Sequence, residues 1–110
     1  FAGTATLTLT PRRVRVGESL AIALTLHAGA KRAQTLVIDY AVHHVKANGE
    51  RTPKAVKGWT LTLAGGETRT LEKRHSMREV TTRRYHAGRH ALDLRINGQV
   101  VAEAEFDLKL

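Results

Sequence analysis

The ten residues from position 81 to position 90, TTRRYHAGRH, concentrate side chains that are able to do chemistry or to bind a charged partner. The stretch contains three arginines and two histidines, and no acidic residue interrupts it. Arginine presents a planar fork of donors that matches phosphate oxygens, and histidine can act as a base, a metal ligand or a further donor. The segment therefore belongs either to a catalytic site or to a surface that binds anions.

The histidines offer no organised catalytic pair. His43 and His44 are neighbours on a predicted strand, where consecutive side chains point to opposite faces, so they cannot chelate one metal ion without a bulge. The same geometry separates His75 from Ser76 as a base and a nucleophile. His75 and His90 share the parity of apolar residues, which favours places at the edge of the core. We therefore predict no catalytic residue, no metal site and no cofactor, so that this chain alone is not an enzyme.

Composition excludes further classes of protein. The 110 residues contain no cysteine, which rules out a disulfide framework and a thiolate metal site. Apolar residues make up 42% of the chain and charged residues 25%, as is typical of one globular domain of this length. The longest apolar runs are far below the ~18 residues that span a bilayer, so we expect no membrane association. The lack of cysteine fits a reducing compartment, and we expect a cytoplasmic location.

The charge of the chain favours a polyanionic partner. Its 18 Lys and Arg against 10 Asp and Glu give a net charge of +8. Solubility alone would also be served by such a charge, but here the charge is concentrated in two segments. Residues 46–57, KANGERTPKAVK, hold four Lys or Arg and one acid, and residues 69–90 hold seven and two. With aromatics at only 5% and no helix to read a groove, contact with duplex phosphates fits better than single-strand stacking.

Alternation of apolar and polar residues dominates the chain and predicts strands. The predicted strands cover residues 4–10, 18–28, 34–46, 56–63, 68–75, 90–96 and 101–110. Turn signals separate them, including Asn-Gly at positions 48–49 and 97–98. An all-β chain of about seven such strands is typical of an immunoglobulin-like antiparallel β-sandwich, here without a disulfide.

The same parity predicts which side chains face inward. The predicted core residues are Leu24, Ile38, Tyr40, Trp59, Leu92, Leu94 and Phe106. The acids predicted to alternate outward onto a solvated face are Asp39, Asp93, Glu103, Glu105 and Asp107. Two aromatics keep an alternative role: Trp59 as a platform on which a base stacks, and Tyr85 either as the hydrogen-bonding corner of a sandwich or as a DNA contact.

Three stretches carry a resemblance to a known family: DYAVHHVKANG at 39–49, RHSMR at 74–78, and residues 81–90. Together with the rest of residues 36–106, they resemble the C-terminal immunoglobulin-like domain of bacterial AlkC-type DNA alkylation-repair glycosylases. In that family a preceding domain of HEAT-like helical repeats carries the glycosylase chemistry on alkylated purines, and the sandwich helps to hold the DNA. The run KAVKGW at 54–59 departs from the more aromatic run of the family, so no role is carried over to its two lysines.

The resemblance implies that residues 1–110 form a single domain in the C-terminal part of a longer bacterial protein of base-excision repair. The implied partners are double-stranded DNA and the protein's own helical-repeat domain, with a monomeric state. The DNA-binding residues predicted in the basic segments are Arg78, Thr81, Thr82, Arg83, Arg84, His86, Lys46 and Arg51. The alternative is a structural or protein-interaction sandwich that only packs on its own helical domain.

Overall fold

The structure is a computed structural model that describes residues 1–45, 51–77 and 87–110, with the backbone alone at 45 and 51–54. Eight strands occur in these residues. They are β1 (Gly3–Thr10), β2 (Arg13–Arg15), β3 (Ser19–Ala28), β4 (Gln34–Val45), β5 (Arg51–Leu63), β6 (Thr68–Ser76), β7 (Gly88–Ile96) and β8 (Gln99–Lys109). Over the same residues the backbone forms no helix, and hence none that is long and apolar enough to cross a membrane.

The strands form two sheets that pack face to face. One sheet has the order β1-β3-β6, and the other has the order β2-β8-β7-β4-β5. Every pairing is antiparallel except that of β2 with β8, which is parallel. The predicted immunoglobulin-like β-sandwich is therefore confirmed. The short strand β2 adds to the seven predicted strands, because three residues are too few to show an alternating pattern.

Strand β5 begins earlier than the sequence predicts, at Arg51 and not at Val56. Pro53 has no backbone N–H to donate, but β5 is the edge strand of its sheet, where a proline is tolerated. The register shifts between Ile38 and Asp39, beside Gly58. A Cβ atom at Gly58 would lie 2.8 Å from the Ile38 carbonyl oxygen, so the irregularity needs a residue without a side chain. This irregularity is a physical reason for the glycine in KAVKGW.

The core consists of two buried clusters along the length of the sandwich. The first contains Leu9, Val14, Leu20, Ile22, Tyr40, Val42, Met77, Leu92, Phe106 and Leu108. The second contains Leu24, Leu26, Ala28, Leu36, Ile38, Leu63, Leu94 and Ile96. Leu7 packs against both clusters and joins them. Every predicted core residue is buried except Trp59, which is half-buried and packs on the second cluster.

Strand directions bring the two basic segments to the same end of the sandwich. In the five-stranded sheet, Val45 at the end of β4 pairs with Arg51 at the start of β5. Strand β7 runs antiparallel to β4, so it begins at this end, with Gly88 opposite Leu108 near the end of β8. The segments 46–50 and 77–87 are thus attached to neighbouring strand ends.

The three-stranded sheet reaches the same end through β6. Ser76, the last residue of β6, pairs with Ser19 at the start of β3, and the turn before β3 is bonded to the end of β8. In that turn the N–H of Val16 donates to the carbonyl of Lys109 at 2.9 Å. We call this part of the molecule the basic end, and define it by the strand termini Val45, Arg51, Ser76 and Gly88 with the segments they hold. The turns 29–33, 64–67 and 97–98 lie at the opposite end.

Candidate nucleic-acid interface

Most of the predicted DNA-binding residues lie outside the described residues. These are Arg78, Thr81, Thr82, Arg83, Arg84, His86 and Lys46, and Tyr85 with its two alternative roles lies there as well. Arg51 opens β5, where its backbone pairs with Val45. Their contacts with DNA remain predictions. The structure describes the strand ends that hold the segments in which these residues occur.

The segment after β6 starts from a fixed point. Met77 is fully buried in the first core cluster. Its N–H donates to the carbonyl of Glu18 at 2.9 Å, and its own carbonyl accepts from the N–H of Gly17 at 3.0 Å. A buried side chain with both backbone groups bonded fixes the position of Met77, to which residue 78 is attached.

Gly88 and Arg89 are the first residues of β7, on the other side of residues 78–86 in the sequence. The guanidinium of Arg89 lies 3.3 Å from the carboxylate of Asp107, and Arg13 approaches the other oxygen of that carboxylate at 4.0 Å. Both arginine side chains remain largely exposed, at 62% and 73%. Exposed ion pairs of this kind are weak, so Arg13 can exchange Asp107 for another anion at low cost.

Next to the basic end, the outer face of the five-stranded sheet carries a charged network that sequence reasoning missed. The Nε2 atom of His43 lies 2.6 Å from Oδ2 of Asp93, and Nε of Arg95 donates to Oδ1 of Asp93 at 2.8 Å. A second guanidinium nitrogen of Arg95 donates to Oδ2 at 3.2 Å. The carboxylate of Asp93 is therefore satisfied by side chains from two adjacent strands, β4 and β7.

The prediction that Asp93 lies on a solvated face is wrong. Its side chain lies on the outer face of the sheet, as predicted, but only 3% of the residue is exposed. Ala41 lies opposite Asp93, and Ala91 lies opposite His43, so small side chains leave room for the two polar groups to meet diagonally. Had the pairing of β4 with β7 been known, this alternation of alanines with polar residues would have indicated the contact. Of the other predicted outward acids, Glu103 and Glu105 are exposed, and Asp39 and Asp107 are half-buried.

Opposing effects set the acidity of this network. Burial disfavours the charged form of Asp93 and by itself raises its pKa, but hydrogen bonds from Arg95 and His43, with their charges, outweigh burial and hold that pKa below its ordinary value. The hydrogen bond to Asp93 in turn raises the pKa of Arg95. Both groups are therefore ionised over the whole physiological pH range.

The lowered pKa of Asp93 predicts an acid-dependent loss of stability. The folded state holds this carboxylate in its charged form more strongly than the unfolded chain does, so its stabilising effect is present above a pH of about 4 and disappears as pH falls below that value. We expect Asp93→Asn to lower the free energy of unfolding by about 1–3 kcal/mol at pH 7, because it weakens the bonds to His43 and Arg95. Urea unfolding at a series of pH values should show the difference between the two proteins shrinking towards pH 3 or so. A difference that is constant with pH would contradict this assignment.

On the inner face, the other described histidines near the basic end, His44, His75 and His90, are packing elements. His44 lies edge-on to His90, with ring centroids 5.7 Å apart, and His90 stacks on Phe106 at 5.5 Å. His90 is fully buried, while His75 is half-buried, with its Nδ1 atom 3.1 Å from the hydroxyl of Tyr40. The predicted core-edge position of His75 is confirmed, as are the opposite directions of His43 and His44, but His90 is fully buried and not at the edge.

Comparison of the sequence with protein-family models matches residues 3–110 to the family described as "Uncharacterised protein YhaZ, C-terminal Ig-like domain". The chain is 34% identical over 102 residues to the uncharacterized protein YhaZ of Bacillus subtilis (strain 168). This alignment covers 93% of the chain and 28% of YhaZ.

Comparison with solved structures gives a TM-score of 0.96 and 31% identity to the alkylpurine DNA glycosylase AlkC of Pseudomonas fluorescens, bound to DNA containing an abasic site analog. That match covers 100% of the chain and 31% of AlkC. A β-glucosidase of Listeria innocua matches with a TM-score of 0.75 at 17% identity, covering 98% of the chain and 16% of that protein, which shows a shared fold alone. The chain thus spans less than a third of each of these proteins. It belongs to the family of YhaZ C-terminal immunoglobulin-like domains.

Proposed function

We propose that this chain is a DNA-binding accessory domain of an alkylpurine DNA glycosylase, and that it contacts the duplex backbone through its basic end. One observation carries the proposal: both basic segments are attached to the same end of a sandwich that matches a DNA-bound glycosylase at a TM-score of 0.96. Segments that are distant in sequence, at 46–51 and 78–86, are therefore held by neighbouring strands. A single stretch of duplex can engage both of them.

The chemistry of these segments suits phosphate oxygens. Lys46, Arg51, Arg78, Arg83 and Arg84 provide positive charge, and the only acids within residues 46–51 and 78–86 are at positions 50 and 79. Guanidinium groups bind phosphates with two parallel hydrogen bonds, while the ammonium group acts as a compact point charge. The hydroxyls at positions 81 and 82 are further donors. Such contacts position a duplex without reading its sequence.

Negative charge on β8 restricts the direction from which DNA can approach. Glu103, Glu105 and Asp107 follow one another at every second position, and the first two are exposed. They line an open groove of about 700 Å³ between β1 and β8. Arg12 and Arg89 line the same groove, and Asp107 is paired with Arg89. The exposed carboxylate of Glu103 therefore disfavours the phosphate backbone on the part of this flank farther from the basic end.

In this proposal, removal of the alkylated purine takes place elsewhere in a longer bacterial cytoplasmic protein, called the full-length protein below. A preceding domain of HEAT-like helical repeats carries that chemistry, and the protein acts as a monomer. The proposal is supported by the lengths of the relatives, of which this chain spans 28% and 31%. Among the described residues, the histidines near the basic end are committed to the core, to its edge or to Asp93, which supports a binding role for this part of the protein.

Titration of the ¹⁵N-labelled chain with a short duplex tests the proposal. We expect weak binding, with a dissociation constant on the order of 10⁻⁴ M or poorer, because few phosphates are engaged. Amide signals should move at Val45, Arg51, Gly88 and Arg89, and they should stay in place in the turns at 64–67 and 97–98. The chain alone should release no base from alkylated duplex.

Two outcomes contradict the proposal. If millimolar duplex moves no signal, or moves those of the opposite end, the sandwich only packs on its helical domain. If the chain alone turns over alkylated duplex, it is itself an enzyme and the accessory role is wrong.

A further inference from the structure

We infer that His43 is a further phosphate-binding residue of the basic end, oriented by Asp93 so that its Nδ1–H, in the imidazolium form, donates to the DNA backbone. The inference rests on the proposed function, because it needs a duplex at this end of the sandwich. It adds a residue outside the two basic segments, on the well-packed strand β4.

The position of His43 suits such a contact. It lies two residues before Val45, where β4 ends and the segment with Lys46 begins. Its side chain is on the outer face of the five-stranded sheet, beside Ala91 of β7. The His43 side chain is 29% exposed and that of Asp93 is 4% exposed. The ring therefore reaches solvent, while the carboxylate that holds it is buried.

The hydrogen bonds of His43 leave one ring nitrogen for a ligand. Nε2 is bonded to Asp93 at 2.6 Å, and no other hydrogen bond of this ring occurs among the described residues. Arg95 fixes the same carboxylate through both oxygens, so Asp93 cannot turn away. In an imidazolium both ring nitrogens carry a proton, so the second N–H, on Nδ1, lies on the side of the ring away from Asp93. A charge-assisted hydrogen bond to a phosphate oxygen is the interaction that this donor favours.

Other charged groups of the described residues face this part of the sheet without bonding to the ring of His43. Asp39 lies on β4 and Arg89 on β7, while Glu103 and Glu105 lie beyond β7 on β8. Lys57 is the charged residue of β5 on this face whose side chain is described, and it pairs with Asp39. Of the described charged groups, Asp93 alone forms a hydrogen bond or ion pair with His43. Among the described charged groups, Asp93 thus orients the ring, and Nδ1 is left for a ligand.

Another histidine provides a matched control. His27 is exposed near the opposite end of the sandwich, where it pairs with Thr68. Its Nδ1 atom lies 2.7 Å from the hydroxyl of Thr68, and no carboxylate within residues 1–45, 51–77 and 87–110 holds it. His27→Gln therefore removes a surface imidazole without touching the basic end.

The experiment measures the affinity of the full-length protein for an undamaged duplex between about pH 6 and pH 8, at fixed salt. Binding through an imidazolium requires a proton, so the affinity of the wild type should fall as pH rises. We expect His43→Gln to weaken binding by roughly tenfold at pH 6 and to have little effect at pH 8, since glutamine keeps a neutral donor but not the charge. His27→Gln should follow the wild type at every pH.

A second measurement uses the unmodified chain, so its result does not depend on whether a variant folds. In the ¹⁵N-labelled 110-residue chain at pH 7, a short duplex should shift the ring nitrogens of His43 to imidazolium values and leave those of His27 unchanged. If neither the affinity of His43→Gln nor these ring signals respond, the inference is overturned. The proposed function survives that result if Arg83→Glu with Arg84→Glu still weakens binding, and it fails as well if this double variant binds as the wild type does.

Discussion

Arg83→Glu combined with Arg84→Glu in the full-length protein is expected to weaken duplex binding by roughly tenfold to a hundredfold, about 1.4 kcal/mol for each phosphate contact that is lost. The range reflects how many of the two side chains reach the backbone. Adjacent residues in a loop can fan out to neighbouring phosphates, whereas in a strand one of them turns away. The loss should be similar for intact and alkylated duplex, because phosphate contacts carry no information about the base. Fluorescence anisotropy with both duplexes measures it.

The chain offers a control of equal charge change. Lys31→Glu with Arg32→Glu also reverses two exposed positive charges, but these lie in the turn between β3 and β4 at the opposite end. If the basic end binds DNA, this control should retain most of the affinity. Equal losses in both double variants would mean that only net charge matters. No loss in Arg83→Glu with Arg84→Glu, after circular dichroism has shown a native fold, would mean that these two arginines do not bind DNA.

Phe106→Ala is expected to lower the free energy of unfolding by about 3–5 kcal/mol, a large part of the total stability of a small domain. Phe106 is only 2% exposed and belongs to the first core cluster. Its ring stacks on His90, which in turn contacts His44, so one side chain links β8, β7 and β4 beside the basic end. Truncation leaves a cavity and removes the support of both histidines.

Urea denaturation of the 110-residue chain, followed by tryptophan fluorescence from Trp59, measures this loss. Leu110→Ala is the control, because this leucine is 74% exposed beyond the end of β8 and should change stability by no more than about 0.5 kcal/mol. A loss below about 1 kcal/mol in Phe106→Ala would contradict the assignment of this ring to the core.

The sandwich could be predicted from the sequence because its signal is local. Alternating residues such as Leu20, Ile22, Leu24 and Leu26 mark a strand with one buried face, whatever that strand pairs with. The start of β5 could not be predicted in this way. Pro53 argues against a strand unless its place at the sheet edge is known, and the irregularity at Gly58 breaks the alternation.

The candidate site depends on which strands pair with each other. The alternation of residues within one strand does not show this pairing. That both basic segments share one end follows from the order β7-β4-β5 and from the pairing of β3 with β6. The contact between His43 and Asp93 joins residues 50 positions apart, and it forms only because the alanines at 41 and 91 leave space on adjacent strands. Because Asp93 alternates with core residues, its sequence position predicts an exposed side chain. Its hydrogen bond to His43 on the neighbouring strand buries it instead.

The salt dependence of duplex binding tests the central claim most directly. The affinity of the full-length protein is measured at several salt concentrations, with and without these 110 residues. If the basic end neutralises about four phosphates, the slope of log affinity against log salt should be steeper by roughly 3.6 when the chain is present, because each neutralised phosphate releases counterions. Equal slopes would contradict the account, since a sandwich that only packs on its helical domain releases no counterions from DNA.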